Sequence, residues 1–355
     1  MSTTLKKSFP AGTLVKWSAS AENFHTSSGV VFLNEDTTLN IELKDSKISF
    51  EWDGGGTKTV YFGDKKVTST SPICVGDDGP MTGFFAAAFS SDSTTKNVFI
   101  NAEGLPSNNV LSNLFNYDTN AIENIEIINS SHITDFTGVF ANMKHIKTLS
   151  VDTSGATTLE ELFSHSAIVN APFLETSNVI NTGSMFLYCS NLEYIPPYDF
   201  SKVTDMNCMF QGCSKLTTLP QLDTHNVTDM NHMFYDVFNL TTIPQLDTHN
   251  VTNMSWTFQG CEKLTTLPQL DTSNVTSMGG CFWWCRSLKN VGGFIGLKVS
   301  VDFGQCPLTH ESALNIIDNL AVSSGQEIRF SVSTFKSLTS AEIARATDKG
   351  WEIWA

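Results

Sequence analysis

Apolar side chains recur in the middle of this chain at a fixed spacing. Each unit places a valine, a phenylalanine seven residues later and a leucine six residues after that. The phenylalanine column consists of Phe186, Phe210, Phe234, Phe258 and Phe282 at 24-residue steps, preceded by Phe163, Phe140 and Phe115 at steps of 23, 23 and 25 residues. A fixed period of this length is typical of solenoids, in which each unit buries its apolar side only by stacking on its neighbours.

The pattern inside one unit predicts a short strand and a short helix. The unit at residues 223–234 places its apolar side chains at i, i+3, i+6 and i+7, one face of a helix, after Asp, Thr and Asn as turn and N-cap residues. Residues 240–244 form a β-rich run that ends at a proline, which cannot donate to a strand ladder. We therefore expect a leucine-rich-repeat solenoid of about eight coils over residues 106–295, with short parallel strands and a short helix per coil.

The segment before the repeats has a different periodicity. Short apolar or alternating runs, separated by Asp-Gly, Gly-Gly and Gly-Asp turns, occur at residues 14–17, 29–33, 38–43, 47–52 and 59–62. Evenly spaced short strands are typical of a small antiparallel sandwich or barrel. We expect an N-terminal all-β domain over residues 1–105.

The segment after the repeats, residues 296–355, predicts a small C-terminal α/β cap. The expected elements are a helix capped by Thr309, a strand at 328–332, a helix capped by Thr339 or Ser340 that ends before Gly350, and a strand at Trp351–Trp354. A solenoid needs an atypical terminal unit to shield its last apolar layer from water.

Composition and charge exclude several classes of partner. The chain has 36 acidic and 21 basic residues and a net charge of −15, without a basic run, so it repels nucleic acid and anionic lipid. No stretch reaches the roughly 18 apolar residues of a membrane span, and residues 1–19 lack the apolar run of a secretory signal. We expect a protein made in the cytoplasm of its producer, with no nucleic acid partner and no membrane insertion.

Carboxylates and imidazoles fall on fixed slots of the repeat. A carboxylate column consists of Asp199, Asp223, Asp247 and Asp271. It is expected to accept backbone N–H groups as Asx-turns and N-caps, and the alternative is a Ca²⁺ site. His225 and His249 share another slot, either as surface turn residues or as a pH-sensitive patch.

Four of the eight cysteines share one slot. They are Cys189, Cys213, Cys261 and Cys285, and Val237 occupies the same slot in the remaining coil. A slot that accepts valine is a small apolar core position, so we expect buried thiols in a reducing compartment. No Ser-His-Asp order, phosphate loop or HExxH motif occurs, and we expect no enzyme, no cofactor and no metal site.

Polar strand positions and off-pattern aromatic residues are the candidate ligand-binding residues. The polar columns consist of Thr217, Thr218, Gln221, Thr241, Thr242, Gln245, Thr265, Thr266 and Gln269, and the aromatic residues are Tyr235, Trp256, Trp283 and Trp284. Hydroxyl, amide and aromatic groups suit contact with a glycan or a protein. The alternatives are a merely solvated strand face and, for Trp283 and Trp284, packing against the C-terminal cap.

The repeat carries a specific motif. Residues 264–288 read Leu-x-x-Leu-Pro-x-Leu-Asp-Thr-Ser-Asn-Val-Thr-x-Met-x-x-x-Phe-x-x-Cys-x-x-Leu, and the copies at 216–240 and 240–264 match nearly as well. This motif is closely similar to the BspA-type leucine-rich repeat, over roughly residues 130–292. Such repeats occur in bacterial surface adhesins and bacteriophage structural proteins. The resemblance implies binding to a host surface or matrix, and it brings no catalytic residues.

Together these observations lead us to expect a non-enzymatic virion structural or host-recognition protein of a bacteriophage, of the fibre or decoration type. Its N-terminal domain would bind other virion proteins, its solenoid would bind a host surface glycan or protein, and a homo-oligomer is compatible with this role. The alternative is a bacterial cell-surface adhesin, and the missing signal favours the virion because phage proteins leave by lysis. A carbohydrate-active enzyme needs paired carboxylates, and Glu35, Asp36, Glu51 and Asp53 show no recognisable arrangement.

Overall fold

The computed structural model describes residues 97–102, 107, 111, 112, 114 and 122–355, together with the backbone of seven strands between residues 2 and 69. The chain forms two compact units, residues 1–156 and 157–355. Coils of a parallel β-solenoid, about ten turns in all with few helices, make up the repetitive part of both units. Phe115 of the phenylalanine column lies outside the described residues.

The first unit begins with antiparallel strands. They are β1 (Ser2–Phe9), β2 (Leu14–Ala19), β3 (Ser27–Phe32), β4 (Thr37–Lys44), β5 (Ser49–Trp52), β6 (Lys58–Phe62) and β7 (Lys65–Ser69). β1 pairs with β4, β2 lies between β3 and β5, and β6 pairs with β7. Each of the five predicted runs overlaps one of these strands, while the domain boundary at residue 105 stays a prediction.

The same unit then changes to parallel pairing. β8 (Asn97–Asn101), β9 (Asn124–Ile128) and β10 (Thr148–Val151) form a three-stranded sheet with β9 in the centre. Side chains of β9 alternate between half-buried and buried positions. Parallel neighbours separated by one repeat length are the coils of a solenoid, because each coil returns the chain to the same edge.

The second unit is also built of stacked coils, with very short strands. β11 (Thr266–Leu267) pairs with β13 (Asn290–Val291), and β12 (Leu270–Asp271) pairs with β14 (Phe294–Ile295). Single parallel bridges join further coils on another side, in the series Asp205, Asp229, Asn253 and Ser277. Pro268, between β11 and β12, lacks an N–H and so interrupts the ladder, and Gly292 and Gly293 take the corresponding place between β13 and β14.

The short helix predicted for each coil is wrong, and a run of turns occupies its place. The N–H of Met233 bonds to the carbonyl of Met230 within the coil, at 3.1 Å, whereas the N–H of Phe234 bonds to Thr257 of the next coil, at 2.9 Å. His232 and Asp236 adopt positive φ, 56° and 58°. Left-handed residues every four positions end any helix, and the N–H groups that a helix would use internally instead join adjacent coils.

Stacked phenylalanine rings form the core of the second unit. From Phe163 through Phe282, ring centroids of successive coils lie 5.6 to 5.8 Å apart with interplanar angles of 12° or less. All of these rings are buried, as are the valine and leucine columns beside them. The phenylalanine column predicted from the sequence is confirmed over these coils.

The C-terminal segment is an α/β extension of the stack. Its elements are β15 (Val301–Phe303), α1 (His310–Asp318), β16 (Gln326–Phe330), α2 (Val332–Ser337), α3 (Ser340–Thr347) and β17 (Trp351–Trp354). β16 lies between β15 and β17, and both pairings are parallel. The predicted caps Thr309 and Thr339 are confirmed, Thr339 as part of a capping box with Glu342. Helix α2, capped by Ser331, was not predicted, because its first residue was assigned to the preceding strand.

Candidate functional site

The two threonine columns lie on the strand side of the second unit, and all six side chains are exposed. The hydroxyl of Thr241 donates to the carbonyl of Thr217, and Thr265 repeats this contact to Thr241, both at 3.3 Å. The first column therefore joins adjacent coils, which is a structural role that the sequence interpretation did not include. The second column, Thr218, Thr242 and Thr266, presents a regular row of hydroxyl-bearing side chains beside it.

The glutamine column borders a groove of about 630 Å³ on the same side. Nε2 of Gln221 donates to the carbonyl of Gln245 at 2.7 Å, and Gln245 donates to Gln269 at 2.8 Å. The groove is also lined by Tyr198, Leu222, Asp223, Thr224, His225, Leu246, Asp247, Thr248, Asp271 and Ile295. Its charged side chains are carboxylates, so it has a negative potential.

The carboxylate column forms the Asx-turns that the sequence predicted. Oδ1 of Asp199 and of Asp271 each accepts the N–H two residues later at 2.9 Å, and Asp223 and Asp247 repeat this contact at 3.3 Å. Oδ1 of Asp247 also lies 2.6 Å from Nδ1 of His249. This side-chain hydrogen bond lowers the pKa of Asp247.

A second set of side chains lies on the turn side of the coils. This aromatic row consists of Tyr188, His232, Tyr235, Trp256, Trp283 and Trp284. The rings of His232 and Trp256 are stacked at 5.9 Å with an interplanar angle of 15°, and Tyr235 lies 5.2 Å from His232. Trp256 and Trp283 meet edge to face at 5.1 Å and 84°. Tyr188, Trp283 and Trp284 are each more than 40% exposed, which is unusual for side chains of this size.

Glycines of the following coil position the rings of this row. Gly280 has φ +65°, and a Cβ there would lie 2.6 Å from the ring of Trp256. Gly212 has the same relation to Tyr188, whose hydroxyl also accepts a hydrogen bond from Gln211 at 3.0 Å. The rings therefore lie flat over glycine backbone, a close approach that a side chain would prevent.

Trp283 and Trp284 adjoin the C-terminal segment without being buried by it. The backbone N–H of Trp284 donates to Oε1 of Gln305 at 2.8 Å, and the guanidinium of Arg286 lies 4.3 Å from the centre of the Trp284 ring. Trp283 remains 41% exposed and Trp284 remains 45% exposed. Packing against the C-terminal segment does not account for them.

The structure separates the predicted residues into two groups. The three glutamines meet at the groove. Three of the four predicted aromatic residues, Tyr235, Trp256 and Trp283, contact a ring of the aromatic row, and the fourth, Trp284, lies under the guanidinium of Arg286. No groove residue belongs to the aromatic row. Sequence reasoning missed Tyr188, although an aromatic residue in a slot that holds glycine at 212 and 260 was a usable signal. It also missed His232 and Gln259, whose neighbours only the stacking reveals.

The cysteine slot holds buried thiols, as predicted. Cys189, Cys213, Cys261 and Cys285 are free, and each Sγ donates to a backbone carbonyl of the preceding coil at 2.9 to 3.1 Å. Burial raises the pKa of Cys213 and Cys261 well above the usual thiol value, which opposes thiolate chemistry.

In the described part of the chain, no three His, Cys, Asp or Glu side chains converge on a position that could hold a metal ion. None of its helices has the length and apolar character needed to cross a membrane. Glu35, Asp36 and Asp53, and the side chain of Glu51, lie outside the described residues.

The coils coincide with a known family. The chain matches the family described as "Mycoplasma protein of unknown function, DUF285" over residues 109–221 and 217–295, together 187 of its 355 residues. No curated protein matches the chain. Because the family match covers more than half of its length, the chain belongs to the DUF285 family.

Proposed function

We propose that this protein is a non-enzymatic recognition protein, a structural or host-recognition component of a bacteriophage virion of the fibre or decoration type. The observation that carries the proposal is the aromatic row. Tyr188, Trp283 and Trp284 stay more than 40% exposed on coils that bury their phenylalanines almost completely. Large aromatic side chains held rigidly at a surface are the side chains that contribute most to binding energy in interfaces.

The backbone of the row supports a binding role. Tyr188, His232, Trp256 and Trp284 all have positive φ, between 54° and 65°. An L-residue in this conformation costs about 1–2 kcal/mol, and the cost persists only where neighbouring structure fixes it. The row is therefore preorganised by the adjacent coils, which reduces the entropy lost when a ligand binds.

In this proposal the coils are of the BspA type, and the other segments serve the particle. The repeats supply the outward surface, the all-β segment at residues 1–105 attaches the protein to other virion proteins, and residues 296–355 cap the stack. Phe303 of that last segment stacks on Phe282 at 4.7 Å and on Phe330 at 6.2 Å, which supports its role as a cover for the final apolar layer.

The first test is the location of the protein and its binding to cells. Purified virions of the producing system are analysed by mass spectrometry and by electron microscopy with a labelled antibody. We expect the protein on the particle, and we expect the isolated chain to bind host cells. Its absence from purified virions would sink the virion assignment.

A bacterial cell-surface adhesin is the second candidate. The observation that favours it is the family description, which names a cellular bacterium rather than a virus. Cell fractionation separates the two candidates. An adhesin is found on the surface of intact cells that contain no phage, whereas a virion protein is absent from such cells.

A further inference from the structure

We infer that Trp256 and Trp283 form the centre of a binding site for a neutral pyranose glycan. This inference rests on the proposed recognition function and specifies its ligand. Trp256 and Trp283 meet at 84° with centroids 5.1 Å apart, so the two indoles form a corner rather than a closed stack. A pyranose ring has an apolar C–H face that packs on an aromatic ring and a rim of hydroxyls that need hydrogen-bond partners.

Polar groups suited to that rim lie next to the corner. Gln259 donates its backbone N–H to the carbonyl of Trp256 at 3.1 Å, and its Nε2 donates to the hydroxyl of Tyr235 at 3.2 Å. Its Oε1 is buried and, within the described residues, is one of two buried side-chain polar atoms without a hydrogen-bond partner. An amide oxygen in this state gains free energy if the side chain turns toward a donor, and a sugar hydroxyl is such a donor.

The shape of the next coil leaves room beside the corner. Gly279 accepts the N–H of Trp256 at 2.9 Å, and a Cβ built on Gly279 meets no atom within 4 Å. The preceding coil carries Ser255 in this slot. Gly279 is exposed, so the missing side chain leaves the surface of this coil open. The ring of Trp256 already has His232 stacked on it and Gly280 beside it, so a sugar would pack on the exposed indole of Trp283, with Trp256 as the second wall of the corner.

Charge decides between neutral and acidic sugars. Carboxylates border this surface. Burial lowers the pKa of His232 and the nearby carboxylate of Asp229 opposes that change, while burial and the carboxylate of Glu262 raise the pKa of Asp236, which follows Tyr235 in the chain. The nearby guanidinium of Arg286 is placed over Trp284 and occupies one face of that indole. A uronic or sialic acid would meet this negative potential, whereas a neutral or N-acetylated hexose would not.

The test compares the full chain with three variants on an array of neutral, N-acetylated and acidic oligosaccharides, followed by calorimetry with the best neutral hit. Trp283→Ala removes one wall of the corner, and Trp256→Asn removes the other while keeping a residue that tolerates positive φ. Gly279→Gln places a side chain in the open space and leaves both indoles in the chain. We expect each to weaken binding by about tenfold or more, a loss of ~1.4 kcal/mol.

The matched control is Trp354→Ala. Trp354 is 44% exposed and has a guanidinium, that of Arg329, at 5.1 Å, but it lies in the C-terminal strand. This variant is expected to bind glycan as the unmodified chain does. Circular dichroism and the thermal midpoint of each variant establish that it is folded. If Trp256→Asn does not fold, Gly279→Gln still tests the inference.

The outcomes separate this inference from the proposed function. If the chain binds host cells but no neutral glycan, or if folded Trp283→Ala and Gly279→Gln variants bind glycan normally, the inference is wrong and the recognition function stands. The inference is also wrong if the chain binds acidic glycans better than neutral ones. It is likewise wrong if binding to cells survives periodate oxidation of their sugars, which would indicate a protein receptor. If the chain binds neither cells nor any glycan, the proposed function itself fails.

Discussion

Single backbone positions hold the coils of this protein in place. Each turn run contains two left-handed residues four positions apart, and glycine occupies only some of these slots, such as Gly212 and Gly260. Others hold His, Asp, Tyr or Trp, for which the left-handed conformation costs about 1 kcal/mol or more. Local propensity does not favour these conformations, and contacts with the neighbouring coils stabilise them.

Three glycines allow the backbone and steric costs to be separated by substitution with alanine. Gly350 has φ +84°, and a Cβ there would overlap the carbonyl oxygen of Ser323, whereas Gly325 has φ +69° and open space. Gly279 has open space without a positive φ. We expect Gly350→Ala to lose ~3 kcal/mol or more, Gly325→Ala ~1 kcal/mol and Gly279→Ala nothing or a small gain. Urea unfolding measures the three values, and equal losses would contradict this ranking.

His232 makes stability depend on pH near neutrality. Burial lowers the pKa of His232 from 6.5, with Asp229 opposing the shift. Below pH 6.5 the unfolded chain therefore binds more protons than the folded chain, so stability decreases as the pH falls from 6.5 toward the folded-state pKa. His232→Asn keeps a residue that tolerates positive φ and removes this proton. Urea midpoints at pH 7 and pH 5.5 should differ less in the variant, and an unchanged difference would contradict the assignment.

At the level of elements, each coil is joined to the next by hydrogen bonds from side chains as well as from the backbone. The buried threonines of the Asp-Thr pairs, Thr224, Thr248 and Thr272, each donate to a carbonyl of the following coil at 2.8 to 3.0 Å. The threonine side chains are buried, and a buried hydroxyl needs such a partner because it has lost its hydrogen bonds to water. A repeat whose strands contain two residues depends on these contacts more than a long-stranded sheet does.

Thr224→Val tests this contribution. Its hydroxyl donates to the carbonyl of Asp247 and accepts the N–H of the same residue, both at 2.8 Å. Valine fills the same volume but leaves the part-buried N–H and carbonyl of Asp247 without this partner, so we expect a loss of ~1–3 kcal/mol. The control, Thr242→Val, lies in the exposed threonine column and should change the free energy of unfolding by less than about 0.5 kcal/mol. Equal effects of the two variants in thermal unfolding would argue against a structural role for the buried hydroxyl.

At the scale of the whole molecule, the second unit is a linear array in which each coil contacts its neighbours. The parallel bridges and the phenylalanine stack both connect residues one repeat apart. Stability is then approximately the sum of coil and interface contributions, so coils are interchangeable units.

Removal of one complete coil should leave a folded protein. Deleting residues 216–239 brings Phe210 and Phe258 into adjacent coils and preserves every column. We expect an unchanged far-ultraviolet circular dichroism spectrum per residue and a single cooperative transition. Deleting only residues 216–227 shifts every later column by half a coil and should prevent folding of the second unit. A folded half-coil deletion would contradict the stacked register.

The sequence by itself determined the period, the columns and the chemistry of each slot. Phe234, Cys213 and Asp247 each take the environment that their repeat position predicts, because a constant spacing forces equivalent residues into equivalent surroundings. Two strands and two helix caps of the C-terminal segment, Thr309 and Thr339, also followed from local signals, whereas β15 and α2 did not.

Only the tertiary structure decided how the turn side is built. The apolar spacing at residues 227–234 fits a helix, but inter-coil N–H bonds and left-handed residues give a run of turns instead. The spacing of apolar residues specifies which side chains are buried together. It does not specify which carbonyl accepts the hydrogen bond of each backbone N–H. For the same reason Trp256, Trp283 and Gln259, separated along the chain, became one candidate site only when stacking brought adjacent coils into contact.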